Sequence, residues 1–311
     1  MDKILCIVGP TASGKTSLSV ALAQAFGAEI VSFDSMQVYR GMDIGTAKPT
    51  MDERGGIRHH MFDVAEPNES FSVSRYVAMA DACVQDILSR GKPVILVGGT
   101  GLYVDSLVAG REFAPFPSTG VRERLNERVK AEGIEPIYRE LQEIDPEAAA
   151  VIHPANTKRV LRALEVYLET GTTISEHNRR SKLQRPKYEP LWIGLDYANR
   201  QTLYDRIDLR VEMMFEQGLE QEVRTLLESG IAPDATSMQA IGYKELTQYL
   251  AGEGTLAQAK ESIQLASRHY AKRQRTWFYR NEKVNWITIP DGADFDDIFY
   301  QARRIATTFD N

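Results

Sequence analysis

The sequence predicts an α/β fold, a parallel sheet flanked by helices, with one all-helical insertion. Three observations predict it. Ile4-Leu5-Cys6-Ile7-Val8 is a short apolar run followed by a glycine-bearing loop and then an apolar-periodic stretch over about 15–26, a strand–loop–helix unit. Pro93-Val94-Ile95-Leu96-Val97 is a nearly continuous branched run, the pattern of a parallel strand buried on both faces. Strands alternate with helices up to about residue 111, after which 112–186 carries helical periodicity and no convincing strand.

The elements follow in order. Glu29-Ile30-Val31-Ser32-Phe33 reads as the second strand, ending at Asp34. Residues 73–90 form a long helix with Tyr76, Val77, Ala80, Val84, Ile87 and Leu88 on one face, closed by Gly91 and Pro93. A linker is expected at 114–118, then helices near 119–132, 136–143, 146–151 and 155–170. Strands return at 191–195 and 285–289, with helices near 200–217, 219–229, 237–251 and 255–280. The domain division is therefore 1–111 with 187–311 as the catalytic core, and 112–186 as the insertion. Met213, Met214 and Phe215 read as helix core.

Composition narrows the function. The chain has 311 residues, 43% of them hydrophobic, which suits one large domain or two. Its two cysteines, Cys6 and Cys83, stand far apart and outside any Cys/His cluster, so neither a disulfide framework nor a zinc site is expected. No apolar run reaches the ~18 residues of a membrane span, and no secretory signal opens the chain, so no membrane partner is expected and a cytoplasmic location is. The net charge of −6 hides two basic segments. Residues 157–187 carry Lys158, Arg159, Arg162, Arg179, Arg180, Lys182, Arg185 and Lys187 against Glu165, Glu169 and Glu176. Residues 268–283 carry six bases against Glu282, interleaved with His269, Tyr270, Trp277, Phe278 and Tyr279. Two such segments, one with aromatics, point to a polyanionic partner. His59 and His60 lack a third metal ligand and are expected to be structural.

The motif with the most chemistry is Gly9-Pro10-Thr11-Ala12-Ser13-Gly14-Lys15-Thr16, a complete P-loop between a strand and a helix. Its backbone amides and the helix N-terminus converge on phosphate oxygens, Lys15 adds a point charge, and the Thr16 hydroxyl is the usual Mg²⁺ ligand. The motif specifies a diphosphate or triphosphate without specifying ATP, so a small-molecule kinase is the alternative. P-loop NTPases usually carry an acidic residue at the tip of a second strand. Here 94–97 ends in Gly98-Gly99-Thr100-Gly101-Leu102-Tyr103, with a neutral hydroxyl and glycines that let backbone approach a ligand. Asp34 ends another strand; it can serve as a base, a Mg²⁺ ligand or an N-cap. Strand ends of an open parallel sheet share one crevice, so the P-loop, Asp34 and Thr100 are expected to converge.

These residues resemble the tRNA dimethylallyltransferases. The resemblance rests on the P-loop, on Asp34-Ser35-Met36-Gln37-Val38-Tyr39 and on Gly98-Gly99-Thr100-Gly101-Leu102-Tyr103. It extends through Asp43-Ile44-Gly45-Thr46-Ala47-Lys48-Pro49, His59-His60-Met61-Phe62-Asp63, 158–165 and Gln239-Ala240-Ile241-Gly242-Tyr243-Lys244-Glu245, covering about 7–280. Without the C-terminal zinc-finger extension of some eukaryotic relatives, the likeness is to the bacterial type. It implies transfer of a dimethylallyl group from dimethylallyl diphosphate to N6 of adenosine 37, in tRNAs reading codons that begin with U. Pyrophosphate leaves, with Mg²⁺ as cofactor and direct displacement expected. The implied catalytic set is Asp34 as base, Thr100 toward the bridging oxygen, and Lys15 and Arg210 on the phosphates. The implied tRNA contacts are Asp34, Ser35, Met36, Gln37 (reading the base edge), Thr100, Arg122, Lys158, Arg159, Val160, Leu161, Arg162, Gln239, Ala240, Ile241, Gly242, Tyr243 and Lys244. A monomer is expected.

Overall fold

In the computed structural model, residues 1–111, 113, 119–183 and 185–307 are described; the linker expected at 114–118 lies outside them. The chain divides into two compact units, 1–110 with 186–311, and 111–185.

The larger unit is built on a six-stranded, wholly parallel sheet. Its strands are β1 (Asp2–Val8), β2 (Glu29–Ser32), β3 (His59–His60), β4 (Val94–Val97), β5 (Tyr188–Tyr197) and β6 (Val284–Ile289), in the order β3-β2-β4-β1-β5-β6. β4 and the apolar part of β1 are buried on both faces, as their unbroken apolar runs require. On one face Leu5, Ile7, Ile95, Ile193, Leu195 and Ile287 pack against α1 (Lys15–Phe26) and α13 (Phe295–Ala306) through Leu18, Leu22, Ala302 and Ala306. On the other, α2 (Val73–Ser89) stacks Tyr76 on Tyr103 of α3 (Gly101–Val108), and the Tyr76 hydroxyl donates to the Ser32 carbonyl. Ser72 caps α2 by accepting from the Arg75 amide. The Glu29 carboxylate, nearly closed from solvent, accepts from Arg90, Lys92 and His60 and so holds β3 to the sheet. This gives the histidine pair its structural place.

Four further helices cover the end of the sheet: α9 (Arg200–Glu216), α10 (Leu219–Glu228), α11 (Tyr243–Leu250) and α12 (Leu256–Phe278). The single helix expected near 237–251 is instead a 3-10 turn, Ser237–Gln239, then α11. The break falls at Gly242, whose φ of 95° lies outside the helical region. Two helices were not expected from the sequence, α13 and, in the smaller unit, α8 (Ile174–Leu183).

The smaller unit contains α4 (Val121–Glu132), α5 (Ile134–Ile144), α6 (Pro146–Val151), α7 (Thr157–Thr170) and α8. Val121, Leu125, Ile137, Leu141, Val160, Leu161 and Leu164 form its core. Asn156 caps α7 through the Arg159 amide, which leaves Lys158 and Arg159 exposed in the first turn.

Candidate active site

The loop between β1 and α1 is a working anion seat in conformation. Gly9, Ala12 and Gly14 all take positive φ, at 144°, 63° and 88°, which turns the chain sharply onto the N-terminus of α1. A side chain at Gly9 would place its Cβ 2.4 Å from the Leu195 carbonyl oxygen, so only glycine lets the loop lie against β5. Lys15 Nζ donates to the Pro10 carbonyl at 2.6 Å and folds over the loop. Arg210 of α9 reaches the same place, its Nη1 3.4 Å from Thr11 Oγ1. It is half-buried.

Burial, and then the neighbouring Arg210, push the Lys15 ammonium down to about 7. Burial likewise lowers Arg210, which Asp34 partly offsets. Two cations crowded together in a partly desolvated site are unfavourable without an anion between them. The site is thus prepared for a group with several negative charges.

Three cavities meet here. The largest, about 680 Å³, runs from the P-loop past Asp43, Lys48, Arg210, Met213 and Met214. The second, about 260 Å³, is walled by Asp34, Ser35, Met36, Arg210, Met214, Tyr270 and Arg273, with Gln239, Ala240, Ile241 and Gly242 at its side. The third, about 80 Å³, lies between Lys15, Thr16, Asp34, Gly98, Gly99, His59 and Gln274. Arg210 lines all three, and Asp34 lines the second and third. The P-loop and Asp34 therefore face a shared space.

Asp34 has one oxygen engaged: Oδ1 accepts from the Met36 and Gln37 amides at 2.8 and 3.3 Å. The carboxylate thus caps a turn and lines the cavities at once. Thr100 Oγ1 accepts from the Ser35 amide at 3.1 Å and lies 3.3 Å from Ser35 Oγ. These bonds tie the Asp34 turn to the end of β4. Thr16 opens α1 and lines the first and third cavities. Among the described residues no group of three His, Cys, Asp or Glu is gathered for a metal.

The family described as IPP transferase matches this chain over residues 37–282. A tRNA dimethylallyltransferase of Caldanaerobacter subterraneus is 47% identical over 298 residues, covering 95% of each chain. The chain belongs to the tRNA dimethylallyltransferase family. The crystal structure of the full-length tRNA isopentenylpyrophosphate transferase from Bacillus halodurans matches with a TM-score of 0.75 at 42% identity, over 99% of this chain and 96% of that one. A eukaryotic dimethylallyltransferase acting on tRNA matches with a TM-score of 0.84 at 30% identity, over 100% of this chain and 79% of that one. The α/β fold expected from the sequence is the fold of this family, and the chain is an enzyme of the tRNA dimethylallyltransferase class.

Several of the residues named from the sequence also have partners within the chain. Gln37 lines the third cavity, and its amide is braced within the chain: the nitrogen donates to the Thr46 and Ala47 carbonyls and the oxygen accepts from Ser32 Oγ. Tyr243 is fully buried, packed against Gly45 and bonded to Glu222, and lines none of these three cavities. Glu222 also accepts from the Asp43, Ile44 and Gly45 amides and so fixes the cavity wall. Val160 and Leu161 point into the core of the helical unit, while Ala240, though buried from solvent, lines the second cavity. Arg122 pairs with Glu165, as does Arg162, which partly neutralises both. Met213, expected in the core, is 48% exposed, and Met214 lines two cavities. The glycines after β4 bring the backbone close to Phe33 and α12: a Cβ at Gly99 would lie 2.0 Å from Gln274 Nε2, and one at Gly101 2.2 Å from the Trp277 ring.

Lys158, Arg159, Gln239 and Lys244 are exposed, while the side chain of Lys182 lies outside the described residues. Arg273, from the second basic run, lines the second cavity. Sequence reasoning missed Gln274, Tyr270, Met214 and Glu222 as site residues. Among the described residues no helix is long and apolar enough to cross a membrane.

Proposed function

We propose that this chain transfers the dimethylallyl group of dimethylallyl diphosphate to N6 of adenosine 37, in tRNAs reading codons that begin with U. The observation that carries this reading is that the cation-flanked P-loop and the Asp34 carboxylate line one connected cavity. The departing pyrophosphate gains charge as the allylic carbon–oxygen bond breaks. P-loop amides, Lys15 and Arg210 stabilise that charge where it develops. Thr100 donates to the bridging oxygen. Asp34 holds the exocyclic amine and takes its proton, with Oδ1 fixed by two amides. Transfer is a direct displacement, because the in-line approach of amine and allylic carbon needs no enzyme-bound intermediate.

The acceptor enters through the second cavity, beside Ser35, Met36, Ile241 and Gly242. An anticodon-loop base is already unpaired, so extruding it is inexpensive. Lys158 and Arg159 contact the phosphates of the stem. Mg²⁺ fits a site of this kind, since it takes few protein ligands and is completed by phosphate oxygens and water. Thr16 would hold it, and it would add positive charge at the leaving oxygens. The 1–111/187–311 segment would supply the chemistry and 112–186 the tRNA stem contacts.

The test is incubation of the full chain with unmodified tRNA, labelled dimethylallyl diphosphate and Mg²⁺, followed by nucleoside analysis. Label on one adenosine per tRNA, lost on chelation, is expected. Phosphorylated product from ATP, or label on free adenine nucleotides at an equal rate, overturns the proposal.

A further inference from the structure

The helix α12 places a glutamine where its apolar neighbours would suggest another core residue. Ala271, Gln274 and Phe278 form its buried face, and Gln274 is only 4% exposed. Both ends of the amide are used. Oε1 accepts from the Thr11 amide at 2.7 Å, and Nε2 donates to the Gly99 carbonyl at 3.2 Å. One side chain therefore joins the diphosphate loop to the residue that precedes Thr100. The fit is close, because any Cβ at Gly99 would collide with Nε2. One turn earlier on the same helix, the half-buried Tyr270 lines the second and third cavities, with its hydroxyl beside Gly99, Thr100 and Gln274.

We infer that Gln274 and Tyr270 are positioning residues that set the register between the diphosphate loop and the Thr100 hydroxyl. The inference rests on the displacement reading proposed above. Neither residue is needed to bind the diphosphate, which the remaining loop amides, Lys15 and Arg210 hold. What the bridge fixes is where the leaving oxygen sits relative to Thr100 and to the Asp34 turn that Thr100 supports through the Ser35 amide. A displacement with in-line geometry is sensitive to errors of about 1 Å, which can lower the rate about 100-fold. A buried amide satisfied at both ends is suited to this task. Its loss would leave the Thr11 N–H and the Gly99 carbonyl unpaired and free to shift.

The test uses the full chain with Gln274→Met, Tyr270→Phe and the double variant. It measures steady-state prenylation of unmodified tRNA and the calorimetric affinity for pyrophosphate with Mg²⁺. Each single change should lower kcat roughly 10- to 100-fold while donor KM and pyrophosphate affinity move less than about 3-fold. The double variant should lose no more than about 3-fold beyond the worse single, because the two act as one unit. Should Gln274→Met fail to fold, Gln274→Glu keeps the acceptor for Thr11 and removes the donor for Gly99, and the same kcat loss is expected. Additive losses, a fall in pyrophosphate affinity equal to the fall in kcat, or an unchanged kcat would each overturn the inference. Failure of the unaltered chain to prenylate tRNA would instead overturn the functional reading.

Discussion

Lys15 gives the most quantitative prediction. In the ligand-free chain its ammonium titrates at about 7, because burial and then Arg210 disfavour the charge. A diphosphate seated in the loop reverses that balance, since opposite charge within a few ångströms favours the protonated form. Binding must then draw in a proton. With a free-enzyme value of about 7 and a bound value well above 9, linkage gives uptake of about 0.5 proton at pH 7 and about 0.9 at pH 8. The affinity should fall about 50-fold between pH 7 and pH 9, since an increasing share of free enzyme must be protonated first. Arg210 stays protonated across this range and does not supply the effect.

The assay is calorimetry of a non-reactive dimethylallyl diphosphate analogue in buffers of differing ionisation enthalpy. The same titration of Lys15→Met subtracts protons taken up by the ligand or by other groups. A difference of about one proton at pH 8 is expected. Equal proton uptake in the two proteins would refute the argument, because it would mean that Lys15 does not change charge against the diphosphate. The sign for stability is the reverse of a helpful ion pair. A lysine whose native value lies below its unfolded value of 10.5 destabilises the empty protein while it is charged or must lose its proton. The strain is relieved as pH rises from 7 toward 10.5. Lys15→Met should therefore raise the thermal midpoint of the ligand-free chain at pH 7 while abolishing turnover, with a gain on the order of 2 kcal/mol.

Three further outcomes follow from the same geometry. Asp34→Asn retains an Oδ1 to accept from Met36 and Gln37 but removes the base, so prenylation should fall at least ~100-fold with tRNA affinity within about 3-fold of the original; a parallel loss of both, measured by filter binding, would assign Asp34 to structure alone. Replacing Lys158 and Arg159 by glutamine should weaken tRNA binding and reduce the slope of log affinity against log salt by about 1–2, with no change in pyrophosphate affinity. Glu29→Ala leaves Arg90, Lys92 and His60 without their shared partner, and a denaturant titration at pH 7 should show a loss of about 3 kcal/mol. The Arg90 bond, ahead of the opposing effect of burial, holds the Glu29 carboxyl well below the usual range. This contribution is present above pH ~4.5 and disappears as pH falls through the depressed native value.

The parts of the structure that were legible in the sequence are those written locally. The P-loop requires glycines at fixed offsets, and β4 announces itself by an unbroken apolar run, so both were readable from a few residues. The C-terminal helix had a readable signal too. Phe295, Ile298, Phe299, Ala302 and Ile305 share one face, with Asp296 and Asp297 in the first turn and Arg303 and Arg304 in the last. The opposite holds for α8, whose polar sequence has no apolar stripe; its first turn is anchored by Asp145, which accepts from the Ser175 amide. That partner, 30 positions away, is invisible to periodicity.

The site shows the same division more sharply. Motif residues identify a neighbourhood without saying which side chains face inward. Gln37 and Tyr243 lie inside two of the most recognisable motifs, yet their polar atoms are spent on Thr46, Ala47, Ser32 and Glu222. Such residues build the cavity wall, and a wall that must hold its shape places demands on sequence as strict as those of a ligand contact. Gln274 is the converse, a residue in a basic, aromatic segment whose composition suggests a nucleic-acid face. Its partners, Thr11 and Gly99, are 263 and 175 positions away. No window on the sequence joins them. The parallel sheet does, because successive strand ends deliver the P-loop, the Asp34 turn and the Thr100 turn to one edge, and α12 crosses that edge with its buried amide between them. The chemistry of this site therefore depends on a helix whose sequence advertises RNA binding, and the Gln274 and Tyr270 variants separate those two roles.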